Sequence, residues 1–545
     1  MRKLVAWGLL LGIVAGTIVF NIAFFKNGHF AYVFDENGRI MGSLTLNRIF
    51  FSSEPGYWAA KAAPALRLSY FQGHPRLFDA CGAFVFQALR SVGLAEVRWL
   101  IVAVNALYSL IAAMSVFAIG QLLYSRTAGL TAVFLFLMFP FVGAHTRAFV
   151  LDFPLTAMVS LSVWMLLKTR HFSSWRYSLA LGLCAALAEL TKETAIIFLL
   201  PPAVGYFFQA RSVTDKRKCL THAGLALGVA VLLSVVIYLR PENLYAFRHY
   251  FGMAVAKDHP SFFFYLLNFE NYVGLWLIWV CVPLLAVAAW RFRGKDIALW
   301  CWWLVPLIFY SLPPSKWPRY ILPIFPAVAL LMAGALTAPG RLIMVRRVFL
   351  FLVLVVALGQ YAAYASGFLK YTPRLQVHAF GYEVGRWTYR DDPALRTGED
   401  LLAVLKKERV SGQPEKLVLC LFNIPEIYGV ARREAYLEEL PYDIVCATEI
   451  FPEALSSWPW KGDPREVLKA DYLWFKTGRT PRAYTQSLQD IENGLRRGFA
   501  EYRDHFTKVA EVPAPEGTVV EVYKRARQVS QGLGRERSGD AGSRG

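Results

Sequence analysis

Residues 4–25 read LVAWGLLLGIVAGTIVFNIAFF, without a single charged side chain. At about 1.5 Å per residue such a stretch reaches across the ~30 Å hydrocarbon core of a bilayer. Arg2 and Lys3 stand ahead of it, as in a signal peptide. The apolar core is long, however, and ends on bulky Phe-Asn-Ile-Ala-Phe-Phe instead of a small-residue cleavage site, so it reads as a retained helix. Working outward, further spans are expected at Trp99–Leu123, Ala128–Ala144, Phe153–Leu167, Tyr177–Leu190, Thr194–Ala210, His222–Leu239, Tyr272–Trp290, Ile297–Leu312, Tyr320–Ala338 and Val348–Phe368. That makes eleven, and the chain is expected to be a polytopic α-helical membrane protein.

Composition agrees. The 545 residues are 56% hydrophobic and only 18% charged, where a soluble domain is nearer 45–50% and about 25%. A disordered chain, a collagen-like chain and a small disulfide scaffold are excluded. The net charge of +19 is not spread evenly. With the N-terminus placed in the cytoplasm and the spans alternating, the inner segments gather Arg2, Lys3, Arg126, Lys168, Arg170, Arg176, Arg211, Lys216, Arg217, Lys218, Arg291, Arg293, Lys295, Arg341, Arg346 and Arg347. Only Asp215 and Asp296 oppose them. The basic excess is thus the positive-inside rule in a multi-pass protein of the cell membrane. It is not a nucleic-acid surface, which would need a basic helix or an aromatic-interleaved patch in a soluble region.

An odd number of spans leaves everything after residue 368 outside. Composition changes there, and three regions follow: a membrane module over 1–368 with a first outer loop at 26–98, a soluble extracytoplasmic α/β domain over 369–528, and a disordered tail over 529–545 rich in Gly, Ser and Arg. Strands are expected at Lys416–Phe422, Asp443–Ala447 and Tyr472–Lys476, a helix at Ser487–Phe499, and a hairpin from Phe506–Val512 and Thr518–Lys524. Cys420 and Cys446 can pair there if the compartment is oxidising; the cysteines show no metal-ligand spacing.

Candidate chemistry sits on the outer side. Asp35 and Glu36 lie in YVFDENGR, Arg147 and Asp152 in HTRAFVLDFPL, Lys192 and Glu193 in ELTKETA, and Lys316, Arg319 and Tyr320 in PPSKWPRYILPIFP. The spans around 128–210 are short, so their outer turns at 145–152 and 191–193 are placed to line a recessed cavity. Each feature also has an ordinary reading. Asp-Glu-Asn-Gly makes a turn, Asp152 caps a helix, and Lys192 and Arg319 snorkel to headgroups. His74-Pro75 punctuates a loop. No carboxylate or base sits near the middle of a span, which weighs against a proton-coupled transporter.

Taken together, these residues resemble the GT-C glycosyltransferases, in particular the branch of protein O-mannosyltransferases and aminoarabinose–lipid A transferases. The resemblance covers about residues 1–340. It rests on the acidic pair Asp35-Glu36, His74-Pro75-Arg76-Leu77, Asp152 with Pro154, Leu190-Thr191-Lys192, and the run from Arg319 to Pro326. Arg76 stands where proline is common, and Glu193 where glycine often follows the lysine. The resemblance implies transfer of a sugar from a polyprenyl-phosphate donor to a hydroxyl of a lipid, polysaccharide or protein acceptor. Asp35 is then the expected base, with Glu36 and Asp152 in the catalytic group and Arg147 and His74 in support. Lys192, Lys316, Arg319 and Tyr320 are expected to hold the donor phosphate. Such chemistry requires no cofactor and tolerates a divalent cation bridging carboxylate and phosphate. The competing expectation is a lipid-linked-sugar flippase or a channel, which would turn over without consuming sugar.

Overall fold

A chain in lipid must satisfy its backbone polar groups within each segment, which favours helix over any open structure. In a computed structural model of the protein, each of the apolar stretches named above carries helix. The structure describes residues 2–26, 34–51, 75, 77–209, 215–238, 261–291, 294–313, 316–338, 343–366, 368–369, 393–408, 416–421, 442–446, 464–477, 486–514 and 517–526. The chain forms two compact units, Met1–Arg390 and Asp391–Gly545. The composition boundary at 368/369 comes earlier, and 370–392, between the two, lies outside the described residues, as does the tail 529–545.

In the first unit the order is α1 (Arg2–Lys26), α2 (Phe34–Phe51), α3 (Leu77–Ser91), α4 (Val97–Leu123), α5 (Arg126–Met138), α6 (Pro140–His145), α7 (Asp152–Lys168), α8 (Trp175–Thr191), α9 (Ala195–Gln209) and α10 (Lys216–Tyr238). Then come α11 (Phe264–Leu267), α12 (Phe269–Val273), α13 (Ile278–Trp290), α14 (Ile297–Ser311), a 3-10 run at Pro318–Ile324, α15 (Phe325–Thr337) and α16 (Ile343–Ala365). Among the described residues, five helical runs are long and apolar enough to cross a bilayer: Leu4–Phe25, Val97–Leu123, Lys216–Val235, Pro318–Thr337 and Met344–Ala365. Large apolar side chains stand exposed on the outside of this unit, Trp290 at 86% and Trp279 at 79% among them, where only lipid would accept them. The protein is a multi-pass membrane protein.

Three expected spans are not continuous, each for a local reason. The stretch 128–144 breaks at Phe139, which precedes Pro140 and takes an extended conformation (φ −63°, ψ 124°) because the proline ring disfavours helix before it. The stretch 272–290 breaks at Gly274, whose φ of +101° only glycine adopts cheaply. The buried Gln360 side chain spans that break. Its Nε2 donates to Val273 O at 2.7 Å, and its Oε1 accepts from the N–H groups of Trp276 and Leu277 at 3.0 Å each. The stretch 320–338 starts as the 3-10 run, which holds Pro318 and Pro323. Elsewhere small residues let helices close up. A Cβ on Gly120 of α4 would stand 2.6 Å from the Cα of Gly129 in α5.

The second unit is a five-stranded mixed sheet in the order β2-β1-β3-β5-β4, from β1 (Lys416–Cys420), β2 (Tyr442–Cys446), β3 (Tyr472–Lys476), β4 (Phe506–Ala514) and β5 (Thr518–Arg525). β1 runs parallel to β2 and β3, with Cys420 in register with Cys446. β5 is antiparallel to β3 and β4. Alternate residues serve opposite faces. Val418, Tyr472, Trp474 and Val522 pack with Leu401, Leu402 and Leu405 of α17 (Pro393–Lys407). Leu417, Leu419, Leu473 and Tyr523 pack with Leu495 and Phe499 of α18 (Gln486–Glu501).

Candidate active site

Asp152 is the first residue of α7, but it is no cap: Leu151 holds the N-cap position and no side chain bonds there. The carboxylate turns instead to two cations from distant parts of the chain. Lys192 Nζ donates to Oδ1 at 2.7 Å, and Arg319 Nε stands 3.7 Å from Oδ2. The three side chains are 4%, 6% and 13% exposed. An ammonium and a guanidinium are thus gathered on one buried carboxylate.

Local sequence explains how each member arrives. Lys192 ends α8 in an extended conformation (φ −157°, ψ 130°), while its N–H still closes on Ala188 O. Thr191 turns its hydroxyl back to Leu187 O at 2.8 Å. Arg319 and Tyr320 ride on the proline-bearing 3-10 run. The Arg319 guanidinium lies 5.2 Å from the centroid of the Trp317 ring. Lys192 Nζ lies 5.4 Å from the centroid of the Tyr320 ring, whose centroid is 5.5 Å from that of Tyr310. The turns 145–152 and 191–193 therefore do meet, through Asp152 and Lys192.

The loop that delivers Asp152 is clamped by polar side chains from three helices. Asn21 of α1 donates to Thr146 Oγ1 at 3.2 Å, and Asn105 of α4 donates to Ala148 O at 2.9 Å. Arg147 donates to the Tyr361 hydroxyl of α16 at 3.2 Å, and its guanidinium lies 4.7 Å from the Phe24 ring and 5.5 Å from the Phe20 ring. An aromatic box around Arg147 thus fixes the loop.

Other expected residues fall differently. Lys316 is buried, but its ammonium donates to Ser311 O at 2.6 Å, Pro313 O at 2.5 Å and Tyr310 O at 3.5 Å. It ties off the C-terminal carbonyls of α14, which corrects the expectation that it holds phosphate: its donors face backbone. Asp35 and Glu36 lie in the first turn of α2, and their side chains are outside the described residues, as is His74. Two members were missed. His145, seven residues before Asp152, is buried with Nδ1 at 2.8 Å from Phe141 O, and it lies within electrostatic reach of Asp152, Lys192 and Arg319. Tyr310 shares a hydrogen bond with Thr194 and lies near Glu193. His145 had a signal, its place in HTRAFVLD; Tyr310, in an apolar stretch, had none. Among the described residues no three His, Cys, Asp or Glu side chains gather in a metal-ligating group.

Residues 82–239 match the family described as dolichyl-phosphate-mannose-protein mannosyltransferase. The undecaprenyl phosphate-alpha-4-amino-4-deoxy-L-arabinose arabinosyl transferase 2 of Proteus mirabilis is 26% identical over 263 residues, 41% of this chain and 43% of that protein. The corresponding transferase 1 of Sodalis glossinidius is 29% identical over 197 residues, 33% of this chain and 34% of that protein. The chain thus spans between a third and a half of the length of these curated relatives. By fold the likeness is wider. The crystal structure of ArnT from Cupriavidus metallidurans bound to undecaprenyl phosphate superposes with a TM-score of 0.63 at 15% identity, over 94% of this chain and 98% of that one. The oligosaccharyltransferase of Archaeoglobus fulgidus in the apo form gives a TM-score of 0.52 at 11% identity, over 86% of this chain and 69% of that one. In fold the chain is similar to the membrane glycosyltransferases of the GT-C superfamily, and in sequence it resembles their protein mannosyltransferase and aminoarabinose transferase branch.

Proposed function

We propose that the protein is an integral-membrane glycosyltransferase that moves a sugar from a polyprenyl-phosphate donor to an acceptor hydroxyl at the outer face of the cell membrane. In this reading the N-terminus is cytoplasmic, eleven spans cross, and the 369–528 region is extracytoplasmic. The observation that carries it is the buried Asp152–Lys192–Arg319 group, which brings together an ammonium and a guanidinium of the kind that bind phosphate. The relatives named for undecaprenyl phosphate-linked sugars support that class of donor.

The chemistry balances without a redox group. The acceptor oxygen forms a bond to the anomeric carbon as the bond from that carbon to the phosphate oxygen breaks. The acceptor proton passes to the Asp35 carboxylate, with Glu36 in the catalytic group and His74 in support. The polyprenyl phosphate leaves with its electron pair, and Lys192, Arg319 and the Tyr320 hydroxyl stabilise the charge it carries away. Asp152 holds the two cations in place, and Lys316 secures the segment leading to Arg319. A metal ion is not required by these steps.

The test uses the purified full chain in proteoliposomes. Its donors are undecaprenyl phosphate-linked 4-amino-4-deoxy-L-arabinose and polyprenyl-phosphate mannose, each labelled in the sugar, with envelope lipid and protein extract as acceptor. One donor should be consumed, with label appearing in the acceptor fraction. Asp35→Asn should lower turnover by about 10²–10⁴-fold, the usual worth of a general base. Donor crossing the bilayer uncleaved would overturn the reading in favour of transport.

A further inference from the structure

We infer that Arg39 is a positioning residue, whose buried ion pair with Asp79 sets the rotation of α2 and so the place of its first turn, which carries Asp35 and Glu36. The inference rests on the proposed role of Asp35 as base. Arg39 stands one helical turn after Asp35. Its Nη1 is 3.3 Å from Asp79 Oδ2 in α3, and both side chains are almost wholly enclosed, at 2% and 0% exposure. A charge pair is a costly thing to enclose, and apolar side chains of like volume often serve folding as well or better. Stability alone therefore does not account for it, whereas a directed contact does something that apolar packing cannot.

The interface around the pair is built for one register. Arg39, Gly42, Ser43, Leu46 and Asn47 recur at helical spacing along α2. A Cβ at Gly42 would stand 2.9 Å from Asp79 Oδ2, and one at Gly82 of α3 would stand 2.3 Å from Ser43 Oγ. Two turns on from Arg39, Asn47 Nδ2 donates to Ala83 O at 2.9 Å and to Gln87 Oε1 at 3.3 Å. An apolar cluster of Leu46, Ile49 and Ala83 holds the later half of α2. Apolar contact is non-directional and permits a helix to roll; the polar contacts at Arg39 and Asn47 do not. A shift of about 1 Å at a reacting group can cost about 10²-fold in rate.

The experiment compares wild type with Arg39→Lys, Asp79→Asn and the double variant Arg39→Met/Asp79→Leu in the proteoliposome assay, taking kcat and donor KM separately. Asp79→Asn removes the carboxylate from a buried arginine and serves only to measure folding by thermal unfolding. The double variant removes both charges and is expected to fold. It should lose about 10–10²-fold in kcat while donor KM stays within about twofold, because the cations on α8 and the 3-10 run are untouched. Arg39→Lys should recover part of the kcat. Asp35→Asn is measured beside them. If it is inactive while the double variant keeps wild-type kcat, the positioning role is overturned alone. If it retains turnover, the base assignment fails and the inference falls with it. Equal losses in kcat and in donor affinity would reduce the pair to general structural support.

Discussion

Asp152 sits at the start of a helix, where a carboxylate ordinarily gains from orphan N–H groups and the helix dipole. Here it faces two cations instead, and that changes what its removal should do. In Asp152→Asn the buried Lys192 and Arg319 lose the carboxylate between them. Breaking a buried pair costs about 3–5 kcal/mol, so thermal unfolding should come markedly earlier. Undecaprenyl phosphate, supplying the missing anion, should raise the unfolding temperature of the variant more than that of wild type. An equal shift in both proteins would mean that phosphate does not enter this group. Arg319→Ala should weaken donor binding by about 1.5–3 kcal/mol, the range for a charged hydrogen bond. Arg319→Lys should restore only part, since a point charge does not replace the planar fork. Donor KM, measured against an unchanged acceptor KM, checks both.

At the scale of elements, the breaks in the helices matter more than the helices. Each break frees backbone groups that lipid cannot satisfy, so each needs a local partner. Gln360 of α16 is that partner for the break at Gly274, meeting one carbonyl and two N–H groups. Gln360→Leu leaves all three without it, at about 1–3 kcal/mol for each buried group. Gln360→Glu, neutral when enclosed in this way, keeps a carbonyl acceptor and can offer its O–H to Val273 O, so its effect should be smaller. Unfolding temperatures of the two variants in detergent should fall in that order; the reverse order would remove Gln360 from this role. Gly274→Ala should also destabilise, because φ is +101° there and a Cβ would meet the Gln360 amide. The break at Phe139–Pro140 had a signal in the proline, although Ala128–Ala144 was expected as one span. That at Gly274 was not, because glycine is frequent in membrane helices that do not break.

On the scale of the whole molecule, topology follows from charge. The basic residues of the inner segments predict that a reporter fluorescing only in the cytoplasm, fused after Lys524, stays dark. A bright fusion would mean that the number of crossings is even. The second unit was readable strand by strand. Lys416–Phe422 and Tyr472–Lys476 are near-continuous apolar runs, as strands covered on both faces must be, and they coincide with β1 and β3. Helix α17 was missed. Its apolar positions Leu401, Leu402 and Leu405 occupy one narrow stripe in an otherwise polar stretch, which reads as a solvated segment until the sheet gives that stripe something to cover.

Hydrophobic periodicity and span length are local quantities, so the amino-acid sequence alone determined the helical membrane architecture, the strands of the second unit, and the residues from which a site would be drawn. It also placed Asp152, Lys192 and Arg319 among the candidates. Which of them touch was a tertiary decision. Asp152 and Lys192 are 40 residues apart, and they meet only because Asn21, Asn105 and Arg147 pin one loop while α8 ends at Thr191. Lys316 and Arg319, three residues apart, part ways because the nearer acceptors for Lys316 are the closing carbonyls of α14. Chain proximity sets which groups can meet, and the free energy of burial sets which do, since an enclosed charge must find its partner wherever the fold puts one.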